Sequence, residues 1–316
     1  MPNYQGIWSL STQMQNRTGW PEFFPVGTIG INGPGADDGT AIQKIDIAST
    51  GNATDFGDMA QGSGYSQGAV SNTERAIFAA GASFGNVIQF ITFAAGGNST
   101  DFGNIASSSS SNYCGGLCSA TRGVISGIGG QTNVMEYITT ATTGDALDFG
   151  DLSVARQGSN SVNSPTRGVF AGGEDSSNQT SNVIDYITIA STGNATDFGD
   201  LTKVTKMRSG GASSTTRGVM NEGSFNTNDN TLSYITIAST GNASDFGDLT
   251  TEPSWTSMTS TNVRGVRFGG LVSGNPENTI DYITIASTGN ATDFGDQAIT
   301  NNRTSATSNG HGGLQG

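Results

Sequence analysis

Charge is scarce in this sequence. Lys, Arg, Asp and Glu make up 12% of the 316 residues, against roughly 25% in an average domain, so Ser, Thr, Asn and Gly must carry the surface. Histidine occurs once, at His311, and cysteine twice, at Cys114 and Cys118. Zinc lacks its usual four N or S ligands in such a set, and an isolated C-x3-C reads as two free thiols. No stretch approaches the roughly 18 apolar residues of a membrane span, and no secretory h-region stands out. The expectation is a soluble chain with no signal peptide and no membrane insertion. Helical spacing of apolar residues at i, i+3, i+4 and i+7 is missing throughout. What charge there is leans acidic, 26 carboxylates against 13 Lys and Arg for a net −13, a field that repels nucleic acid.

What is present is a clock. Asp-Phe-Gly-Asp or a near copy recurs six times, with Phe56, Phe102, Phe149, Phe198, Phe246 and Phe294 spaced 46, 47, 49, 48 and 48 residues apart. Such a period marks a repeat architecture. Six copies at fixed spacing cannot each be the magnesium aspartate of a kinase, and the Gly-rich loop, VAIK lysine and HRD loop are missing.

The stretch from Leu152 to Asp200 serves as the type unit. It reads as four short strands: LSVARQGSNSV (a), TRGVFAGG (b), VIDYITIAST (c) and ATDFGDL (d). Ile, Tyr and Thr in c suit a pleated surface, and Thr192-Gly193-Asn194 supplies residues tolerant of positive φ. Four antiparallel strands in each unit make a propeller blade, and six units make six blades. Residues 27–58 supply b, c and d alone, while the tail after Asp296 resembles a lone a strand. Joining the two closes the ring and removes open edges. The expected fold is therefore all-β, a six-bladed propeller. Residues 1–26 form an arm, and the propeller spans 27–313, with units near 27–58 plus 297–309, 59–104, 105–151, 152–200, 201–248 and 249–296. Two units depart from the pattern: Asn104 replaces the last Asp of the motif, and GDALDFGD stands where others have GNATDFGD.

The layout resembles the kelch repeat. Gly172-Gly173 and Gly269-Gly270 match its glycine pair, Tyr186 and Tyr282 its c-strand aromatic, and Arg156 its a-strand Arg; Phe198 stands where kelch has Trp. IDYITIASTGNATDFGDL with TRGVFAGG is also similar in wording to repeats of virion structural proteins of tailed phages, particularly marine cyanophages. That resemblance covers roughly residues 27–313. It implies a kelch-like variant and a place in a virion, made in the host cytoplasm.

Read residue by residue, the motif is structural. Phe is expected between blades, Gly allows close backbone approach, and Asp accepts turn or Arg hydrogen bonds. Arg75, Arg122, Arg167, Arg217 and Arg264 recur once per unit before strand b, so a repeated bidentate Arg–Asp pair is expected. Calcium wants six to eight oxygens, more than one or two Asp per blade supply unless blades share an ion. Asn-x-Ser/Thr at Asn52, Asn98, Asn194, Asn242 and Asn290 falls in the c–d turn, where the turn itself explains the Asn. No cofactor, metal or catalytic residue is expected, since the carboxylates repeat too regularly for one acid–base pair.

Function is expected where the repeat breaks down. The b–c loops vary and make one face a contact surface, with Glu174, Asp175, Asn221, Glu222, Phe225 and Asn275 as candidates. The arm carries Tyr4, Trp8, Trp20, Phe23 and Phe24, an aromatic set typical of interface anchors. The expected function is a non-enzymatic virion component docked through that arm, with other virion proteins or copies of itself as partners. The alternative is attachment, the loop face binding a host surface glycan or receptor.

Overall fold

The computed structural model describes residues 27–36, 39–62, 67–79, 81, 85–106, 113–177, 179–205, 210–223 and 229–314. The chain forms six four-stranded antiparallel sheets arranged as the blades of a propeller, with no α-helix among the described residues. The type blade runs Asn160–Asn163, Arg167–Ala171, Ser181–Thr188 and Thr196–Thr205. The first blade is closed by the C-terminus. Ala306–Ser308 pairs antiparallel with Ile29–Asn32, with Ile31 opposite Thr307.

One boundary differs from the sequence expectation. LSVAR is not strand a but the continuation of the preceding d strand, which runs Leu147–Arg156; strand a is only Asn160–Asn163. Polar alternation alone cannot show where one strand ends and the next begins when both are β-tolerant.

The d strand explains the motif. In the third blade Met135 pairs with Gly150 and Glu136 with Asp148, so Phe149 is an extra residue on the d side. The same bulge recurs in the other five blades. It turns the Phe carbonyl outward to the next blade, where Gly193 N donates to Phe149 O at 2.7 Å and Ala195 N to Asp151 O at 2.7 Å. Gly150 has φ 135°, and a Cβ there would lie 2.5 Å from Gly193 O. Glycine is thus required both by backbone and by approach.

The core lies between blades. Each of the six apolar clusters joins two neighbours around one motif Phe. Phe198, for example, sits with Val169 and Ile184 of its own blade and with Met220, Ile235 and Ile237 of the next. The last cluster unites Phe294 and Val266 with Ile45 and Ile47 of the first blade. The expectation of Phe between blades therefore holds.

Candidate functional site

The five recurring Arg residues do not pair with the motif Asp. Arg75, Arg122, Arg167, Arg217 and Arg264 stack on Phe90, Tyr137, Tyr186, Tyr234 and Tyr282, with guanidinium carbons 4.3–4.7 Å from the ring centroids. Each then donates to a carbonyl of the next blade: Ala141, Ile189, Ile237, Ile285 or Ile47, at 2.9–3.0 Å. A half-buried guanidinium on an aromatic face gains a cation–π attraction that an exposed carboxylate would not match. Each Tyr in turn meets its motif Phe edge-on, as Tyr186 does Phe198 at 6.0 Å.

The c–d Asn residues make another inter-blade stitch. Asn52, Asn194, Asn242 and Asn290 accept from the backbone N of Asp296, Asp151, Asp200 and Asp248 at 3.0–3.1 Å. None of these Asn has positive φ; in the turn that falls to Gly. The two irregular units meet at one contact, because Asp145 accepts from Asn104 N at 2.9 Å. Amide and carboxylate have simply changed sides, so two carboxylates never face each other.

A repeated buried acceptor escaped the sequence reading. The c-strand residue just before the aromatic, or before Lys44 in the first blade, is Gln43, Gln89, Glu136, Asp185, Ser233 or Asp281, all buried. Five of them accept a backbone N–H from the link entering their blade: from Ala298, Gln61, Ala106, Ser153 and Thr250. Ser233 is too short, and Glu222 replaces it by taking Thr202 N and Oγ1. Both buried Asp carry an Arg: Arg156 reaches Asp185 at 2.8 Å, and Arg267 pairs with Asp281 and with Glu277. Arg–carboxylate pairing thus exists, on other residues than expected. The signal was readable as the one inward position that varies among Gln, Glu, Asp and Ser.

These contacts relocate the loop-face candidates. Glu174, Asn221 and Glu222 are buried, at 2%, 0% and 0% exposure. Asn221 donates to Thr256 Oγ1 and accepts from Gly223 N. Buried and bonded within the blades, these three are framework and not contact surface. Asp175 is half-buried and caps its own loop, accepting from Ser177 N and Gln179 N; Asn275 is exposed. Phe225 lies outside the described residues, as do Tyr4, Trp8, Trp20, Phe23 and Phe24 of the arm.

The same face holds three bulky residues in left-handed backbone: Tyr113 at φ 63°, Trp255 at 57° and Arg303 at 57°. All precede an a strand, at the place where Gly158 has φ 70° in the fourth blade. Such residues cost of order 1–3 kcal/mol each. Inter-blade bonds hold them, Gly158 N to Tyr113 O at 2.7 Å and Arg303 N to Trp255 O at 3.0 Å. Arg303 also lies over the Trp255 ring.

On the axis, the six a strands enclose a cavity of about 90 Å³ lined mainly by Ser, Thr and Gly, with the two thiols, Tyr113, Asn163 and His311, and with no Asp, Glu, Lys or Arg among the described residues. That is room for a handful of waters, far below the volume of a drug-sized ligand. At its c–d end, the last residue of each a strand is Ser71, Cys118, Asn163, Ser213, Ser260 or Ser308. These form a girdle, in which Ser71 Oγ donates to Ser308 O (2.7 Å), Ser308 Oγ to Ser260 O and Ser260 Oγ to Ser213 O (3.0 Å). Asn163 Nδ2 donates to Cys118 O, and Ser71 N to Cys118 Sγ at 3.2 Å. Cys118 is the thiol version of a girdle serine. Cys114 and Cys118 are thiols not joined in a disulfide, as expected.

His311 closes this end. Its Nε2 lies 3.0 Å from Ser71 Oγ and 3.2 Å from Cys118 Sγ, while its Nδ1 accepts from Gly313 N at 3.1 Å. The sequence reading took His311 only as the lone histidine and missed this meeting, which spans 240 residues of chain. The cluster has the residue types of a nucleophile and base, but its hydrogen bonds oppose that chemistry. An Nδ1 that accepts a backbone N–H fixes the proton on Nε2, which then faces Ser71 and Cys118 as a donor and not a base. Ser71 Oγ already donates to Ser308 O. Burial pushes the Cys118 thiol up to about 11 and the imidazole down to about 4, so neither reactive form is favoured. A metal on Nε2 would need the opposite tautomer. No protein-family model and no curated protein matches the chain.

Proposed function

We propose that the chain is a non-enzymatic, kelch-like structural module of a phage particle, docked through its N-terminal 26 residues. The observation that carries this reading is where the interactions are invested. Each junction combines a shared Phe core with bulge-to-turn backbone bonds, and five junctions add an Arg–aromatic clamp reaching into the next blade. The single histidine is held in the tautomer that cannot take a proton from its neighbours. Such a ring is a rigid scaffold for the loops it carries. The partners are other virion proteins or further copies of the chain.

The test compares the full chain with residues 27–316 for co-sedimentation with purified particles. Retention of the full chain and loss of the truncated one supports docking through the arm. Equal retention of both would remove the arm from the account.

The left-handed backbone of Tyr113, Trp255 and Arg303 favours a second reading, in which the b–c face binds a host surface glycan or receptor. Strain of this kind clusters at recognition sites. A glycan array on residues 27–316 checks it, and a uniformly blank array would count against it.

A further inference from the structure

We propose that the C-terminal segment Gly310–Leu314 is a plug that seals the c–d end of the axial cavity, and that protonation of His311 releases it. The segment touches nearly every blade near the axis. A Cβ at Gly310 would strike Gly27, one at Gly312 would strike Ser214 O, and one at Gly313 would strike Asn163 and Cys118 O. The turn therefore lies over the junction between Asn163 and Ser213, where the girdle has no bond of its own. Gly312, Gly313 and Leu314 form a single buried 3₁₀ turn, with Leu314 N donating to His311 O at 3.0 Å.

His311 is the latch. Both ring nitrogens are satisfied only in the neutral form, Nδ1 as acceptor from Gly313 N and Nε2–H as donor to Ser71 Oγ and Cys118 Sγ. A second proton on Nδ1 would set N–H against N–H at 3.1 Å and place a charge in a cavity lined by no carboxylate among the described residues. Besides His311, the titratable groups lining that cavity among the described residues are Tyr113, Cys114 and Cys118. The strand ends facing the plug contribute only Ser71, Asn163, Ser213, Ser260 and Ser308 besides Cys118. Among the described residues an imidazolium there has no counter-ion, so it leaves for water. The plug moves with it, because the Gly313 contact is part of the same turn. Opening uncovers Cys118 and turns a blind cavity into a passage along the axis.

The low folded pKa, about 4 against 6.5 when free, sets the window. The open form gains population about tenfold per pH unit below about 6.5 and levels near 4, an increase of roughly 300-fold.

The test follows Cys118 in the full-length protein with 4,4′-dithiodipyridine, which reacts with thiols in acid. Rates at pH 7 and pH 4.5 are normalised to the denatured chain, the modified cysteine is located by mass spectrometry, and near-UV circular dichroism monitors the ring. The expected result is reversible acid exposure of Cys118 with the ring signal retained. His311→Gln, which remains neutral, should keep Cys118 protected at pH 4.5, and His311→Ala should expose it at both pH values. Equal protection of the wild type at both pH values would overturn the proposal. So would equal acid exposure in wild type and His311→Gln, or exposure that appears only as the ring signal is lost. Should His311→Gln or His311→Ala fail to fold, hydrogen exchange of residues 306–314 in the wild type decides. Faster exchange confined to that segment at pH 4.5 supports release, and unchanged or uniform exchange contradicts it.

Discussion

Asn104 and Asp145 show how a single exchange of residues can hide a contact. Each looks like decay of the motif along the sequence, yet together they rebuild the stitch that Asp and Asn make in other blades. Asn104→Asp alone should cost about half a kcal/mol, the scale of like charges facing across strands. Adding Asp145→Asn should restore it, as read by urea denaturation of both variants. His311 gives a residue-scale prediction of opposite character. Its pKa is lower folded than free, so the neutral form stabilises the fold above pH 6.5. That contribution, about 3 kcal/mol for a drop from 6.5 to about 4, is lost as pH falls through this window. Urea midpoints of wild type should fall between pH 7 and 4, and those of His311→Gln should fall less. Arg156 is the third case. Arg156→Met leaves the Asp185 carboxylate buried beside Ser153 alone and should cost about 3–5 kcal/mol, whereas Arg156→Met with Asp185→Asn should cost much less.

At the scale of the element, the bulged d strand is the unit that makes a blade a neighbour as well as a sheet. Phe149, Phe198 and their equivalents are extra residues in the ladder, which frees their carbonyls for the adjacent turn. Phe198→Ala should cost about 3–5 kcal/mol, and Gly150→Ala should also destabilise the ring, since the added methyl meets Gly193 O. Thermal unfolding of each variant measures this. Strand content, blade count and the burial of Phe were legible in the sequence because they follow period and pattern. The partner of each Arg was not, since a guanidinium in this setting chooses between an exposed Asp and an aromatic face with a waiting carbonyl. Polar residues in a b–c loop likewise looked like surface. Glu222 is buried because it takes over the acceptor role that Ser233 of its own blade is too short to fill, and Asn221 because it bonds to Thr256 of the next blade, relations that no single loop displays.

For the whole molecule, closure is the governing fact. Ala306–Ser308 completes the first blade, and the plug beyond it meets the ends of the a strands. Removing residues 303–316 should therefore expose the edge of Ile29–Asn32 and produce aggregation, visible by size-exclusion chromatography. The meeting of His311 with Ser71 and Cys118 depends on this closure and so could not be read from one repeat. A ring so completely joined to itself fits the proposal that docking and recognition fall to the arm and the loop face. Imaging of intact particles by cryo-electron microscopy tests that claim most directly. The expected result is a six-bladed disc on the particle, present with the full chain and gone when residues 1–26 are deleted. Particles that carry no such disc, or that keep it without the arm, would contradict the account.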